Sequence, residues 1–115
     1  MTTQQYKYIK GVEVLSQEHM PSATELANHY GLLTMNGKPN AVLVTQIIAD
    51  SFRHYGAPVD SYYYVHSHGV MKVYPRSQYA YPIECFIDTL KDGQEYNYTP
   101  QLPEKRIIKF KYKKP

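Results

Sequence analysis

Between Pro21 and Tyr55 the apolar residues fall twice at helical spacing. Ala23, Leu26, Ala27 and Tyr30 recur every three or four residues, the interval that stacks side chains on one helix face. Ser22 and Glu25 have the spacing of a capping box, in which the hydroxyl accepts from the amide of residue 25 and the carboxylate from the amide of residue 22. Gly31 supplies a left-handed stop, so a helix of about two to three turns is expected. A second helix is expected after NGKPN, with Asn40 as N-cap and Pro39 just outside it. Val44, Ile47, Ile48, Ala49 and Phe52 make its apolar stripe. Thr45, Gln46, Asp50, Arg53 and His54 fall on the other side, and Gly56 followed by Pro58 ends it.

The flanking patterns are shorter. Met1 to Gln5 is polar and reads as a frayed end. Tyr8, Ile9, Val12, Leu15 and His19 fit a helical stripe that Gly11 interrupts, while Val12, Glu13 and Val14 would also serve a short strand; the longer stripe favours a helix from about residue 5 to 18. Ser61–Val65 and Val70–Tyr74 are rich in β-branched and aromatic residues around the polar break His66–Gly69, which predicts a β-hairpin stopped by Pro75. Pro82 to Leu90 reads as a short helix, with Pro82 in its first turn, Ile83, Phe86, Ile87 and Leu90 on one side, and Asp92-Gly93 as its stop. Tyr96 to Thr99 reads as extended. Pro100 and Pro103 connect it to a last run in which Ile108, Phe110 and Tyr112 alternate with Lys109, Lys111 and Lys113, the pattern of a half-buried edge strand.

These elements give an α+β chain folded as a single small domain over residues 1–115. Its helical part covers about 5–56, its hairpin about 60–75, and its C-terminal helix and strand about 82–113. Within it, ATELANHYGL resembles the first helix of a helix-turn-helix: a small residue, Glu, Leu, Ala, a polar pair, an aromatic, Gly, Leu. The resemblance covers about residues 21–75, and the connection Leu32 to Asn40 is longer than the motif's usual turn of three to four residues. Loops of that length occur in winged-helix relatives, where a hairpin also follows the recognition helix. The resemblance implies that the helix from about residue 40 lies in a DNA major groove and that the hairpin tip meets backbone or minor groove. A helical hairpin in a small α+β domain is the alternative at this point.

Composition adds two asymmetries. Residues 1–101 carry seven Lys and Arg against nine Asp and Glu, a balance of −2, whereas residues 102–115 carry six against Glu104 alone, a balance of +5. The excess positive charge therefore sits at the C-terminal end. Thirteen tyrosines accompany no tryptophan, and tyrosine pairs a flat apolar face with a hydrogen-bonding tip suited to interfaces. No apolar run approaches the ~20 residues that span a bilayer. No signal-peptide pattern opens the sequence, so a cytoplasmic location without membrane contact is expected. The single Cys85 excludes an internal disulfide, and its neighbours Ile83, Phe86 and Ile87 suggest a buried, inert thiol.

Signatures of catalysis and of cofactor binding are missing: there is no P-loop, GxGxxG, nucleophile elbow or CxxC, so neither an enzyme nor a cofactor is expected. His66 and His68, two apart on an extended strand, could converge on one Zn²⁺, but His29, His54, Asp60 and Cys85 do not stand at spacings that select a third ligand. Glu25 is accounted for by its cap, and Asp50 is expected on an exposed helix face. A nuclease centre among Asp60, His66 and Lys72 has nothing in the sequence to raise it.

The expected nucleic-acid contacts are Lys38, Asn40, Thr45 and Gln46 near the second helix's start, with Arg53, Lys72, Arg76, Lys109, Lys111 and Lys113 toward phosphates. They make the first functional expectation a DNA-binding accessory or regulatory protein acting on double-stranded DNA, with a homodimer compatible with two half-sites. Asn40 is also explained as an N-cap, and Thr45 and Gln46 as a solvated helix face. The alternative is a protein-interaction module that inhibits or adapts a larger partner through Tyr62, Tyr64, Tyr74, Tyr79 and Tyr81. An enzyme or small-ligand binder built on the histidines and tyrosines ranks third.

Overall fold

The helix pair forms where its spacing predicts. A computed structural model of the protein describes residues 6–8, 13–14, 20–56, 61–66 and 69–115. Helix α1 spans Ala23–Tyr30. The Ser22 hydroxyl accepts from the Glu25 amide at 3.2 Å, and the Glu25 carboxylate from the Ser22 amide at 3.1 Å. Gly31 ends the helix at φ 71°, a left-handed conformation that glycine adopts without strain. Helix α2 spans Ala41–His54, and the Asn40 side chain accepts from the Leu43 amide at 3.1 Å. Between the helices, Leu32–Leu33 form a short strand, β3, inside the stretch expected to be loop.

Of the stretch expected as a helix over residues 5–18, the described residues form two short strands, β1 (Tyr6–Tyr8) and β2 (Glu13–Val14), paired antiparallel with Tyr6 opposite Val14, and the rest lies outside the described residues. The alternation around Glu13 wins over the longer stripe because β1 also gains a partner, β4 (Tyr62–His66), with Tyr6 opposite Tyr64. The hairpin is present: β4 pairs with β5 (Gly69–Val73), giving a four-stranded sheet in the order β2-β1-β4-β5. Its tip, residues 67–68, lies outside the described residues.

Helix α3 spans Arg76–Ile87 rather than 82–90. Pro75 suits the N-cap, where its missing N–H costs nothing, so the helix starts one residue later and Pro82 falls in its interior. An interior proline gives up one backbone bond and ordinarily costs about 3 kcal/mol. The burial of Gln78 and Ile83 on the core side opposes that cost.

Strand β7 (Ile108–Tyr112) keeps the expected alternation, with Phe110 and Tyr112 buried and Lys109 exposed. It is not an edge, however. It lies at the centre of a second sheet, β3-β7-β6, with β6 (Glu95–Tyr98) on one side and β3 on the other. Its lysines face solvent because of the pleat, not because they guard an open strand.

The main core joins Leu26, Ala27 and Tyr30 of α1, Leu43, Val44, Ile47 and Ile48 of α2, Ile83 of α3, and Leu32, Tyr74, Phe110 and Tyr112. Burying one such aliphatic side chain contributes about 1.5–3 kcal/mol, so α2, with four, is the helix most firmly held. The chain is thus an α+β fold of three helices and two antiparallel sheets among the described residues. None of those helices is long and apolar enough to cross a membrane.

Candidate functional site

Asp50 is the best-organised polar group among the described residues, and it is not where it was expected. It stands three residues after Ile47 and seven after Leu43, so helical spacing puts it on the core-facing arc, where it is 8% exposed. One carboxylate oxygen accepts from the Gln46 amide at 2.8 Å and from the Arg53 guanidinium at 3.4 Å. The other accepts from the Tyr98 hydroxyl at 2.6 Å and from the Gln101 backbone amide at 3.2 Å. These four donors fix the segment after β6 against α2 and satisfy the buried charge. Burial, and then the bond to Asp50, push the Tyr98 phenol well above the usual tyrosine range.

Over this anchor runs a groove of about 460 Å³ between the C-terminal half of α2, the outer side of α3, and the chain after β6. Its floor is apolar, formed by Ile47, Pro82 and Phe86. Phe86 rests edge-on against Tyr98 and leans on Phe110, both at 5.6 Å, which ties the floor to the core. Polar groups surround it: Ser51 and His54 on one wall, Thr99 and Gln101 on another. On the far side of Tyr55 and Tyr81 lies a smaller hollow of about 160 Å³, which also takes in Phe52 and Ser77. The two phenol rings therefore stand on the ridge between two hollows. They are 66% and 65% exposed.

Cys85 lies one turn beyond Tyr81 and is exposed, not buried as its neighbours suggested. With α3 beginning at Arg76, Ile83 faces inward and Cys85 outward. The Cys85 thiol, and then the Tyr55 hydroxyl, push the Tyr81 phenol above the usual tyrosine range, so it ionises less readily.

The residues expected to contact nucleic acid are divided. Thr45 and Gln46 border a hollow of about 270 Å³ together with Lys72 of the hairpin. The Thr45 hydroxyl donates to the Val42 carbonyl at 2.8 Å, the Gln46 amide is held by Asp50, and the Lys72 ammonium lies 5.4 Å from the Tyr74 ring centroid. Asn40 is buried and occupied as the N-cap of α2. Lys38 is exposed in the loop before it. Arg53 is paired with Asp50, and Arg76 stands 3.8 Å from Glu84, which also accepts from the Tyr30 hydroxyl at 2.9 Å. Lys109, Lys111 and Lys113 lie on the second sheet's outer face, pointing away from α2, because the inner face of that sheet carries Tyr98 to Asp50.

The tyrosines singled out from the sequence are scattered as well. Tyr62 and Tyr64 pack half-buried against Met20 and Val73, Tyr74 is buried, and Tyr79 meets Tyr30 edge-on at 6.4 Å. Of that set only Tyr81 is exposed, and Tyr55 was not in it. His68 and the side chain of His66 lie outside the described residues, as does Asp60. Among those described, no group of three or more His, Cys, Asp and Glu could hold a metal ion.

Compared with protein-family models, with curated proteins and with solved structures, the chain matches none.

Proposed function

We propose that this chain is a protein-interaction module that docks a larger protein across the groove between α2 and α3. The observation that carries this reading is the pair Tyr55 and Tyr81, two large amphipathic rings left two-thirds exposed side by side between two hollows. Tyrosine in such a place is a typical interface anchor: it offers contact area at the cost of two torsions and keeps a hydroxyl for hydrogen bonding. The apolar floor with its polar rim suits a segment that inserts one apolar side chain and bonds through its backbone to Thr99, Gln101 or Ser51. The Asp50 anchor contributes by holding the β6 side of the groove rigid before a partner arrives.

Capture of partners from nuclease-treated lysate of the source cell, with the wild-type chain and with the double variant Tyr55→Ala/Tyr81→Ala, tests the proposal. A partner that survives nuclease and is lost with the double variant is expected. Equal capture by both proteins would place the interface elsewhere.

A further inference from the structure

We infer that the outer face of the β3-β7-β6 sheet binds the phosphate backbone of nucleic acid through Lys109, Lys111 and Lys113, independently of the docking groove. Strand β7 turns Phe110 and Tyr112 into the core, so the odd-numbered lysines project from the other face. Lys113 prolongs the row, since its amide donates to the Gly31 carbonyl at 2.9 Å and keeps the backbone extended past Tyr112. Alternate residues of a strand stand about 6.8 Å apart, so the row sets its ammonium groups out along a line, as a phosphate backbone sets out its charges. The row is also rigid: β7 is hydrogen-bonded on both sides, and Phe110 beneath it is 1% exposed.

Two of the three lysines on this face are uncommitted. Lys109 and Lys113 have no ion pair among the described residues. Lys111 stands 3.9 Å from Glu95, a solvent-accessible pair of the kind that contributes little and yields to a stronger anion. Asn97, opposite Lys109, adds an amide donor beside an open depression of about 470 Å³. Tyr96 pairs with Phe110 and stacks on it at 5.6 Å on the inner face, so among the described residues of these strands the outer face carries no ring for a base to stack upon. Lysines in a row on a flat sheet face, with no stacking ring beside them, are placed for the sequence-independent contact with phosphate and not for entry into a groove. Binding is therefore sequence-independent. Because the row points away from α2, a protein in the groove and a nucleic acid on the sheet do not compete.

Fluorescence anisotropy of a labelled oligonucleotide, single-stranded and as its duplex, tests this across a salt series. The wild-type chain is expected to bind with a slope of log affinity against log salt of about −2 to −3, as three phosphate contacts require. The triple variant Lys109→Gln/Lys111→Gln/Lys113→Gln should weaken binding by about tenfold or more, and the corresponding triple Lys→Arg variant should retain it. Tyr55→Ala/Tyr81→Ala should bind as the wild type does, which separates this surface from the groove. A salt-independent affinity, wild-type affinity in the folded Lys→Gln variant, or equally tight binding to polyglutamate or to anionic vesicles would overturn the inference. The salt slope stands even if the triple variant fails to fold.

Discussion

The groove between α2 and α3 and the outer face of the second sheet sort their side chains in opposite ways. On the sheet, the aromatic residues go in and the charges go out: Phe110 and Tyr112 are buried while Lys109 is exposed. Around the groove a carboxylate goes in and aromatic rings stay out: Asp50 is enclosed by four donors, while Tyr55 and Tyr81 stand in solvent. The cause is geometric. A strand has two faces and alternates strictly between them, so its pattern divides cleanly. A helix packed on two sides has a wide core-facing arc with margins, and a polar residue caught on that arc must find partners while an aromatic residue beyond it is left over.

The largest effect expected tests whether β7 is a central strand held against the helices. Gly31 has φ 71°, and a Cβ there would run into the Lys113 carbonyl, a backbone atom that cannot swing aside. Gly31→Ala should cost about 3 kcal/mol or more, the sum of left-handed strain and displaced chain, measured by denaturant unfolding. A loss under about 1 kcal/mol would mean that the C-terminal strand is not pinned there.

Asp50→Ala comes next. It strands the Tyr98 hydroxyl and the Gln101 amide, so a loss of about 2–4 kcal/mol is expected, together with loosening of the segment after β6. The same measurement on Lys109→Gln/Lys111→Gln/Lys113→Gln should change stability by less than about 1 kcal/mol in total, since exposed charges seldom support the fold. If the two losses were equal, the contrast between buried and uncommitted charge would fail.

A smaller effect distinguishes the buried phenols by pH. Burial, with Glu84 as hydrogen-bond partner, pushes Tyr30 up to about 12, and burial with Asp50 raises Tyr98 further. An unfolded tyrosine titrates near 10.0, so above that pH the unfolded chain releases protons that the folded chain still holds. Stability is therefore full below about pH 10 and falls above it, by up to about 1.4 kcal/mol per pH unit for each such phenol. Unfolding measured between about pH 9 and 12 should show a shallower fall for Tyr98→Phe than for the wild type. Identical slopes would contradict the Tyr98–Asp50 contact.

The sequence was most legible where a single residue decides a local structure. The Ser22–Glu25 box, the Asn40 cap, the Gly31 stop and the lysine alternation of β7 are all local, and all four are present. What it did not reveal depends on partners distant in the chain. Nothing near Tyr112 says that Leu32-Leu33 will flank it, and nothing near Tyr6 says that β4 will pair with it. The site is mixed. Asp50 could have been placed from its spacing to Leu43 and Ile47, and its polarity misdirected the assignment. Cys85 and Tyr81 depended on where α3 begins, which Pro82 disguised as a first turn. Tyr55 gained its neighbour only when α2 and α3 packed together.

A partner docked in the α2–α3 groove covers it, and the chain carries its own reporter there. Cys85 is its single cysteine, exposed on the groove wall. The direct measurement is the rate at which N-ethylmaleimide alkylates Cys85 in the free protein, in the protein saturated with its captured partner, and in the protein saturated with an oligonucleotide. A bound partner is expected to slow alkylation about tenfold or more by excluding the reagent from the thiol, and the oligonucleotide to leave the rate unchanged. An unchanged rate under a saturating partner would contradict docking in the groove.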